Sequence, residues 1–149
     1  MPATLRPTAP IAADVLLPSD PGLALALAQD LLERPRMANH HHGLWGYSGS
    51  RRGGPGELTV QATGLGGPSA VAVGADLIEL GARRLVRVGC CRPLSQAVGD
   101  EDAVVADAAL ASDGASQALG ARGEIAGDGA LTRALLAAAP AARSATVAG

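Results

Sequence analysis

The stretch TGLGGPSAVAVGADLIELGARRLVRVGCC, residues 63–91, decides the fold. An apolar run, Glu57 to Ala62, leads into it, the chain turns through Gly64-Leu65-Gly66-Gly67, and a helix-like segment starts at Pro68-Ser69. Proline suits a first helical turn because an N–H there has no intrahelical partner to lose. The glycines before it leave backbone N–H groups open to an anion or a sugar oxygen. The helix is expected over residues 68–80, with Val71, Ala75 and Ile78 on its inner face and Gly81 as its stop. A strand, Leu85-Val86-Arg87-Val88-Gly89, follows. An arginine between two valines is expected to be partly buried and to need an anionic partner, which is either a carboxylate from elsewhere in the fold or a bound phosphate.

Working outward, the same alternation recurs. Asp14 to Leu17 reads as a short strand broken by Pro18-Ser19-Asp20-Pro21. Asp20 then caps a helix with Pro21 at its first position, and Leu23, Leu27 and Leu31 recur at helical spacing until Pro35 ends the pattern. Asn39 to Gly56, rich in Gly, Ser, Arg and His, reads as a hairpin or loop carrying Trp45 and Tyr47. Leu58 to Ala62 is a strand. Past Cys91, Ala103 to Ala109 fits strand or short helix, Gly114 to Asp128 reads as loop, Ala130 to Ala139 as a helix capped by Asp128, and Ala145 to Gly149 as the start of a strand. Strands alternating with helices predict an α/β architecture, a three-layer sandwich with a mixed β-sheet. Ligands of such sheets bind beyond the strand ends, so the loops after Leu17, Ala62 and Val88 converge if their strands are neighbours.

Composition narrows the function. The chain has 149 residues, enough for one domain with a real core, and that core must pack small side chains because Trp45 and Tyr47 are the sole aromatics. The net charge of −2 is spread without a basic stripe, and base-stacking aromatics are scarce, so no nucleic-acid partner is expected. No apolar stretch reaches the ~20 residues of a membrane span, and MPATLRPTAP lacks the apolar core of a signal peptide, so a cytoplasmic protein without a membrane partner is expected. The two cysteines, Cys90 and Cys91, are adjacent. Neighbours in a strand point to opposite faces, so a disulfide framework is not expected and free thiols fit a reducing compartment.

Four motifs in order, Leu17-Pro18-Ser19-Asp20-Pro21, Asn39 through Gly49, Thr63 through Ser69 and Val86 through Cys91, resemble the nucleoside phosphorylase family of purine and uridine phosphorylases. TGLGGPS and Asp113-Gly114-Ala115-Ser116 look more like the uridine branch, NHHHGLWGYSG more like the hexameric purine branch, and the base stays open. The resemblance implies phosphorolysis of a nucleoside to free base and ribose 1-phosphate, with inorganic phosphate as co-substrate, no cofactor, and a homo-oligomer between dimer and hexamer. It implies phosphate contacts from Arg87, Cys90, Ser19 and His42, and ribose or base contacts from Thr63, Gly64, Leu65, Gly66 and Cys91. Phosphate attacks a sugar carbon of oxocarbenium character, so the site must fix a dianion under the ring with donors aimed at developing charge.

Several positions depart from the family pattern. Its first loop usually reads Pro-Gly-Asp-Pro with an arginine two residues on. Here Ser19 replaces the glycine and Leu23 the arginine, and leucine cannot replace a guanidinium. A second arginine, lent by a neighbouring subunit, aligns with His42, and an imidazole is the weaker cation at neutral pH. Cys90 is a poorer donor than the family's hydroxyl, and Arg92 stands where glycine is expected. The family chain continues for about another hundred residues by resemblance, with a Glu-Met-Glu-like ribose segment and, in the purine branch, an acid that protonates the base. Residues 1–149 are therefore expected to form a single, incomplete phosphorylase-like domain. Asp113 and Asp128 read as turn or cap residues rather than as that acid, and no catalytic residue is assigned. His40, His41 and His42 do not predict a metal site, because consecutive residues seldom converge on one ion. Two alternatives to a phosphorylase remain: a nucleosidase in which water replaces phosphate, and a non-catalytic binding or assembly module.

Overall fold

The computed structural model describes residues 2–94, 96, 98–99 and 101–148. The chain divides into two compact units, Met1–Gly89 and Cys90–Gly149. The first holds β1 (Asp14–Leu17), α1 (Pro21–Leu31), β2 (Leu32–Asn39), a 3-10 turn (His41–Gly43), β3 (Gly46–Arg51), β4 (Glu57–Gln61), α2 (Gly67–Glu79) and β5 (Arg84–Arg87). Its sheet runs β2-β3-β4-β1-β5. β1 lies between two parallel neighbours, β4 and β5, while β2, β3 and β4 pair antiparallel, so the sheet is mixed.

Alternation along the strands creates the layers. Leu58, Val60 and Ala62 point to a cluster with Ala24, Ala28 and Leu32, whereas Val15 and Leu17 point to one with Leu5, Val73 and Leu77. The α1 side chains therefore cover one face and those of α2 the other, giving the expected three-layer arrangement. The α1 start is as predicted: Leu23 N–H donates to Asp20 Oδ1 at 2.7 Å, and Pro21 occupies the first turn. Its most buried positions are Ala24 and Ala28, which let the helix lie close on the sheet, while Leu31 is 37% exposed.

Two expectations are corrected in this unit. α1 stops at Leu31, and the residues up to Pro35 belong to β2. Pro35 is tolerated because β2 is the edge strand and a bulge separates Glu33 from Arg36, where Arg34 adopts a φ of +48°. The hairpin alternative for residues 39–56 holds: β3 pairs antiparallel with β2 before it and with β4 after it, and its Tyr47 is buried in the α1-side cluster. The inner face of α2 is Val73, Asp76 and Leu77, not Val71, Ala75 and Ile78, and Ile78 is 62% exposed. A carboxylate on the inner face defeats a count of apolar positions. Asp76 is satisfied there by N–H groups of Ala3, Thr4 and Leu5, at 3.0, 2.7 and 2.7 Å, which strap the N-terminal segment onto α2. Burial pushes the Asp76 carboxyl up, but these donors outweigh it and hold the group below the usual carboxylate range.

The second unit holds β6 (Val104–Ala111), α3 (Gly114–Ala118), β7 (Gly123–Ala126), α4 (Gly129–Ala138) and β8 (Arg143–Ala148). Its sheet runs β7-β6-β8, with β7 antiparallel and β8 parallel to β6. The ambiguous alanine-rich run is strand. Gly114 to Asp128, expected as loop, contains α3 and β7, because Asp113 caps a short helix and Gly123–Ala126 pairs with Ala108–Ala111. Asp128 caps α4 as predicted, accepting from Leu131 N–H at 2.8 Å. Gly149 lies outside the described residues.

Candidate anion and sugar site at the strand ends

The parallel trio β4-β1-β5 sets its carboxyl ends side by side, with Leu16 opposite Val60 and Leu17 opposite Arg87. The condition for convergence of the three following loops is met. Two backbone hydrogen bonds fasten the first two loops: Thr63 N–H to the Pro18 carbonyl at 2.9 Å and Gly64 N–H to the Ser19 carbonyl at 3.1 Å. Val88 N–H donates to the Leu17 carbonyl at 3.2 Å, which brings in the third.

The Gly-rich loop is held from below. Thr63 is 2% exposed, its hydroxyl donates to the Gly64 carbonyl at 3.0 Å, and the Ser69 hydroxyl of α2 donates to the Thr63 carbonyl. Gly64 has a φ of +74°, and a Cβ there would fall 2.8 Å from Ser69 Oγ and 3.2 Å from Leu44 Cδ2, so only glycine fits. Leu65, by contrast, is 87% exposed at the loop tip, with Gly66 exposed beside it as the N-cap of α2.

Arg87 ends β5, and here the expectation of partial burial is corrected: the residue is exposed. Its guanidinium folds back on the strand ends, donating to the Leu17 carbonyl at 3.2 Å and to the Val88 carbonyl, with Ser19 Oγ 3.5 Å from Nη2. A Cβ on Gly89 would lie 2.6 Å from Nη1, so that glycine makes room for the fold-back. None of the ion pairs among the described residues includes Arg87. Asp14, the acidic residue of β1, is taken at the opposite end of that strand by Arg51 and Arg84, with Arg84 Nη2 at 2.7 Å. The structure thus joins Arg87, Ser19, Thr63 and Gly64 through adjacent strand ends and their mutual hydrogen bonds. It can present a cation, a hydroxyl and a glycine-lined backbone edge to one small anionic or polyhydroxyl molecule.

Other predicted residues stand apart from that contact. His42 occupies the 3-10 turn in a left-handed conformation, φ +55°, its ring 3.9 Å from that of His41. Leu44 of the same connection reaches Gly64, but among the described residues no hydrogen bond links His42 to Arg87 or Ser19. Partial desolvation, followed by His42, Arg6 and His40, pushes the His41 imidazole below its usual range. Leu23, in place of an arginine, sits in the first turn of α1 and is half-buried. Cys90 and Cys91 begin the second unit with both thiols exposed. They lie beyond β5, which ends at Arg87, so the strand alternation argued for them does not apply. Arg92 is exposed as well.

The residues that sequence reasoning missed are structural partners: the Pro18 and Ser19 carbonyls, Ser69, and Gly89. Ser69 was legible as a polar residue in the first turn after a glycine loop, and Gly89 as the small residue two places after the strand arginine. A separate cavity of about 340 Å³, lined by Glu33, Arg34, Arg36, Gly49, Ser50 and Glu57, borders the β2 bulge and the start of β4, not its carboxyl end.

Comparison with known proteins matches residues 14–148 to the phosphorylase superfamily. The chain belongs to that family. Its relatives include three purine nucleoside phosphorylases of the DeoD type. The one from Oceanobacillus iheyensis is 36% identical over 100 residues, 66% of this chain and 42% of its own. That of Clostridium novyi is 35% identical over 108 residues, 72% of this chain and 46% of its own. That of Clostridium beijerinckii is 37% identical over 101 residues, 67% of this chain and 42% of its own. The matched part therefore spans less than half the length of these relatives. As a phosphorylase-superfamily chain it contributes the β4-β1-β5 strand ends, and among its described residues no helix is long and apolar enough to cross a membrane.

Proposed function

We propose that this chain carries the phosphate and ribose half of a nucleoside phosphorylase site and that the protein cleaves purine nucleosides with inorganic phosphate, releasing free base and ribose 1-phosphate. The observation that carries the reading is the approach of Arg87 to Ser19 at the ends of parallel strands, with no carboxylate paired to the guanidinium among the described residues. A cation so placed, next to a hydroxyl, suits a phosphate dianion. The fastened Thr63–Gly66 loop lies alongside, where its backbone edge would hold the sugar hydroxyls with little reorganisation. Cys90, Cys91 and His42 complete the proposed contacts, His42 as a group offered across a subunit boundary in a homo-oligomer. The names of the relatives support a purine over uridine. No organic cofactor is needed, since phosphate itself is the nucleophile.

The test is release of free base from inosine, adenosine and uridine, with and without phosphate. Purine release that requires phosphate is expected, and Arg87→Ala is expected to lower it by about a hundredfold or more, the effect of removing one fixed donor to developing charge. Release that is indifferent to phosphate would replace the reading with a nucleosidase. A second reading, a non-catalytic binding module, is favoured by Leu23, which removes one of the family's phosphate cations. It would be supported by absence of release with every nucleoside while phosphate still binds in calorimetry.

A further inference from the structure

We infer that Cys90 and Cys91 form a dithiol site for a soft, thiophilic species, of which trivalent arsenic bound through two sulfurs is the best fit. Both thiols are free and exposed. The backbone that carries them belongs to no strand or helix, because β5 ends at Arg87 and the next element starts at Val104, so adjacent side chains are not forced to opposite faces. The same two thiols are contacts in the proposed phosphorylase site, but the arsenic adduct is read by mass and thiol titration, so it stands or fails apart from turnover.

Geometry selects the kind of bridge. Consecutive Cα atoms are about 3.8 Å apart, whereas disulfides usually span about 4.4–6.8 Å between Cα atoms, so direct S–S closure between neighbours is strained. A single atom inserted between the sulfurs, with bonds of about 2.3 Å each as in zinc thiolates, lengthens the bridge and relieves that strain. The donor set selects the guest. From Leu80 to Gly99 the chain has no Asp or Glu, so no carboxylate adjoins the two thiols in sequence, and the adjacent sulfurs suit a soft acceptor rather than a hard, oxygen-seeking ion. Among the described residues no group of three or more His, Cys, Asp and Glu side chains is placed to hold a metal, so a closed tetrahedral zinc site is not supplied. Trivalent arsenic needs two thiols and brings its own third substituent. The reaction balances without an oxidant: two Cys–SH groups and one R–As=O give one R–As(S–Cys)₂ and one water, each sulfur forming an As–S bond, the two thiol protons leaving with the oxygen and arsenic remaining trivalent.

Phenylarsine oxide is the probe, added to the full-length chain and followed by intact mass and thiol titration. One phenylarsenic group per chain is expected, with both thiols consumed, resistance to an excess of monothiol and reversal by a dithiol. Cys90→Ser and Cys91→Ser are each expected to abolish the monothiol-resistant adduct while circular dichroism stays unchanged, since both side chains are exposed. An adduct that survives monothiol in either single variant, or one that links two chains instead of closing within one, would overturn the inference.

Discussion

The two units are built from the same elements but bury them differently. In residues 2–89 the N-terminal segment, strands β1, β2 and β4, and helix α2 place Leu5, Val15, Leu32, Val60, Val73 and Leu77 at 1% exposure or less. Across residues 90–148 the one buried apolar residue among those described is Ala108, at 7%, while Leu110, Ile125 and Leu135 are 43%, 47% and 38% exposed. α4 buries none of its residues. Hydrogen-bonded pairing is present in both sheets, yet the hydrophobic stabilisation, which scales with apolar area removed from water, is concentrated in the first. Secondary structure and stability are thus separable here, and the strand ends that carry Ser19, Thr63 and Arg87 stand on the better packed unit.

The comparison breaks most readily at a core leucine. Leu77→Ala removes a fully buried side chain that packs with Val15 and Leu17, and a loss of about 2–5 kcal/mol is expected from lost transfer energy plus the cavity left behind. Ile125→Ala, the matching apolar truncation in β7, is expected to stay within about 0.5 kcal/mol, as for surface positions. Denaturant unfolding of both variants measures the contrast. Equal losses would show that the second unit contributes as much to the cooperative fold as the first.

A smaller effect comes from the strap at Asp76. Its carboxylate is 6% exposed and accepts three backbone N–H groups, so Asp76→Asn, which exchanges the charged acceptor for a neutral amide, is expected to cost about 1.5–3 kcal/mol, the worth of a hydrogen bond to a charged group. The pH dependence has a definite sign. The folded-state value lies below the unfolded one, so the folded state holds its proton less tightly. The stabilisation is complete above the unfolded carboxylate value of about 3.9 and is lost as the pH falls through the lower, folded value. Unfolding curves from neutral to acid pH should converge for wild type and Asp76→Asn at the acid end. Parallel curves would show that the carboxylate is not the strap's anchor.

The parts of the fold that follow from local chemistry were legible in the sequence. Asp20-Pro21 and Asp128 each announced a helix start, and the Gly-rich turn before Pro68 announced α2. The parts set by tertiary pairing were not. β2 was hidden because Pro35 reads as a breaker, and only its place at the sheet edge makes the strand possible. The face of α2 was misread because Asp76 earns burial through backbone donors more than seventy positions away in sequence. The site was readable as a motif, Thr63 to Ser69 with Arg87, but the partner of Arg87 was not. A guanidinium that folds back on carbonyls and Ser19 depends on strand order, which no single segment contains.

The smallest effect separates the units most cleanly, because it uses one chemical change in both. Asp20 and Asp128 are N-caps with the same contact, a carboxylate oxygen accepting the N–H of the third residue on. Replacing either with alanine is expected to weaken its helix by about 1 kcal/mol. In α1, Ala24 and Ala28 belong to the main core, so opening the helix is coupled to opening the sheet beneath it. Asp20→Ala should therefore lower amide protection together in α1, β1 and β4. In α4, with no buried residue, opening is local. Asp128→Ala should raise exchange in α4 by about fivefold, the factor corresponding to 1 kcal/mol, and leave β1 and β4 unchanged. Hydrogen exchange read by mass spectrometry resolves the two patterns. If Asp128→Ala also loosened β4, cooperativity would run through the whole chain, and the contrast in burial would describe packing density without describing independent stability.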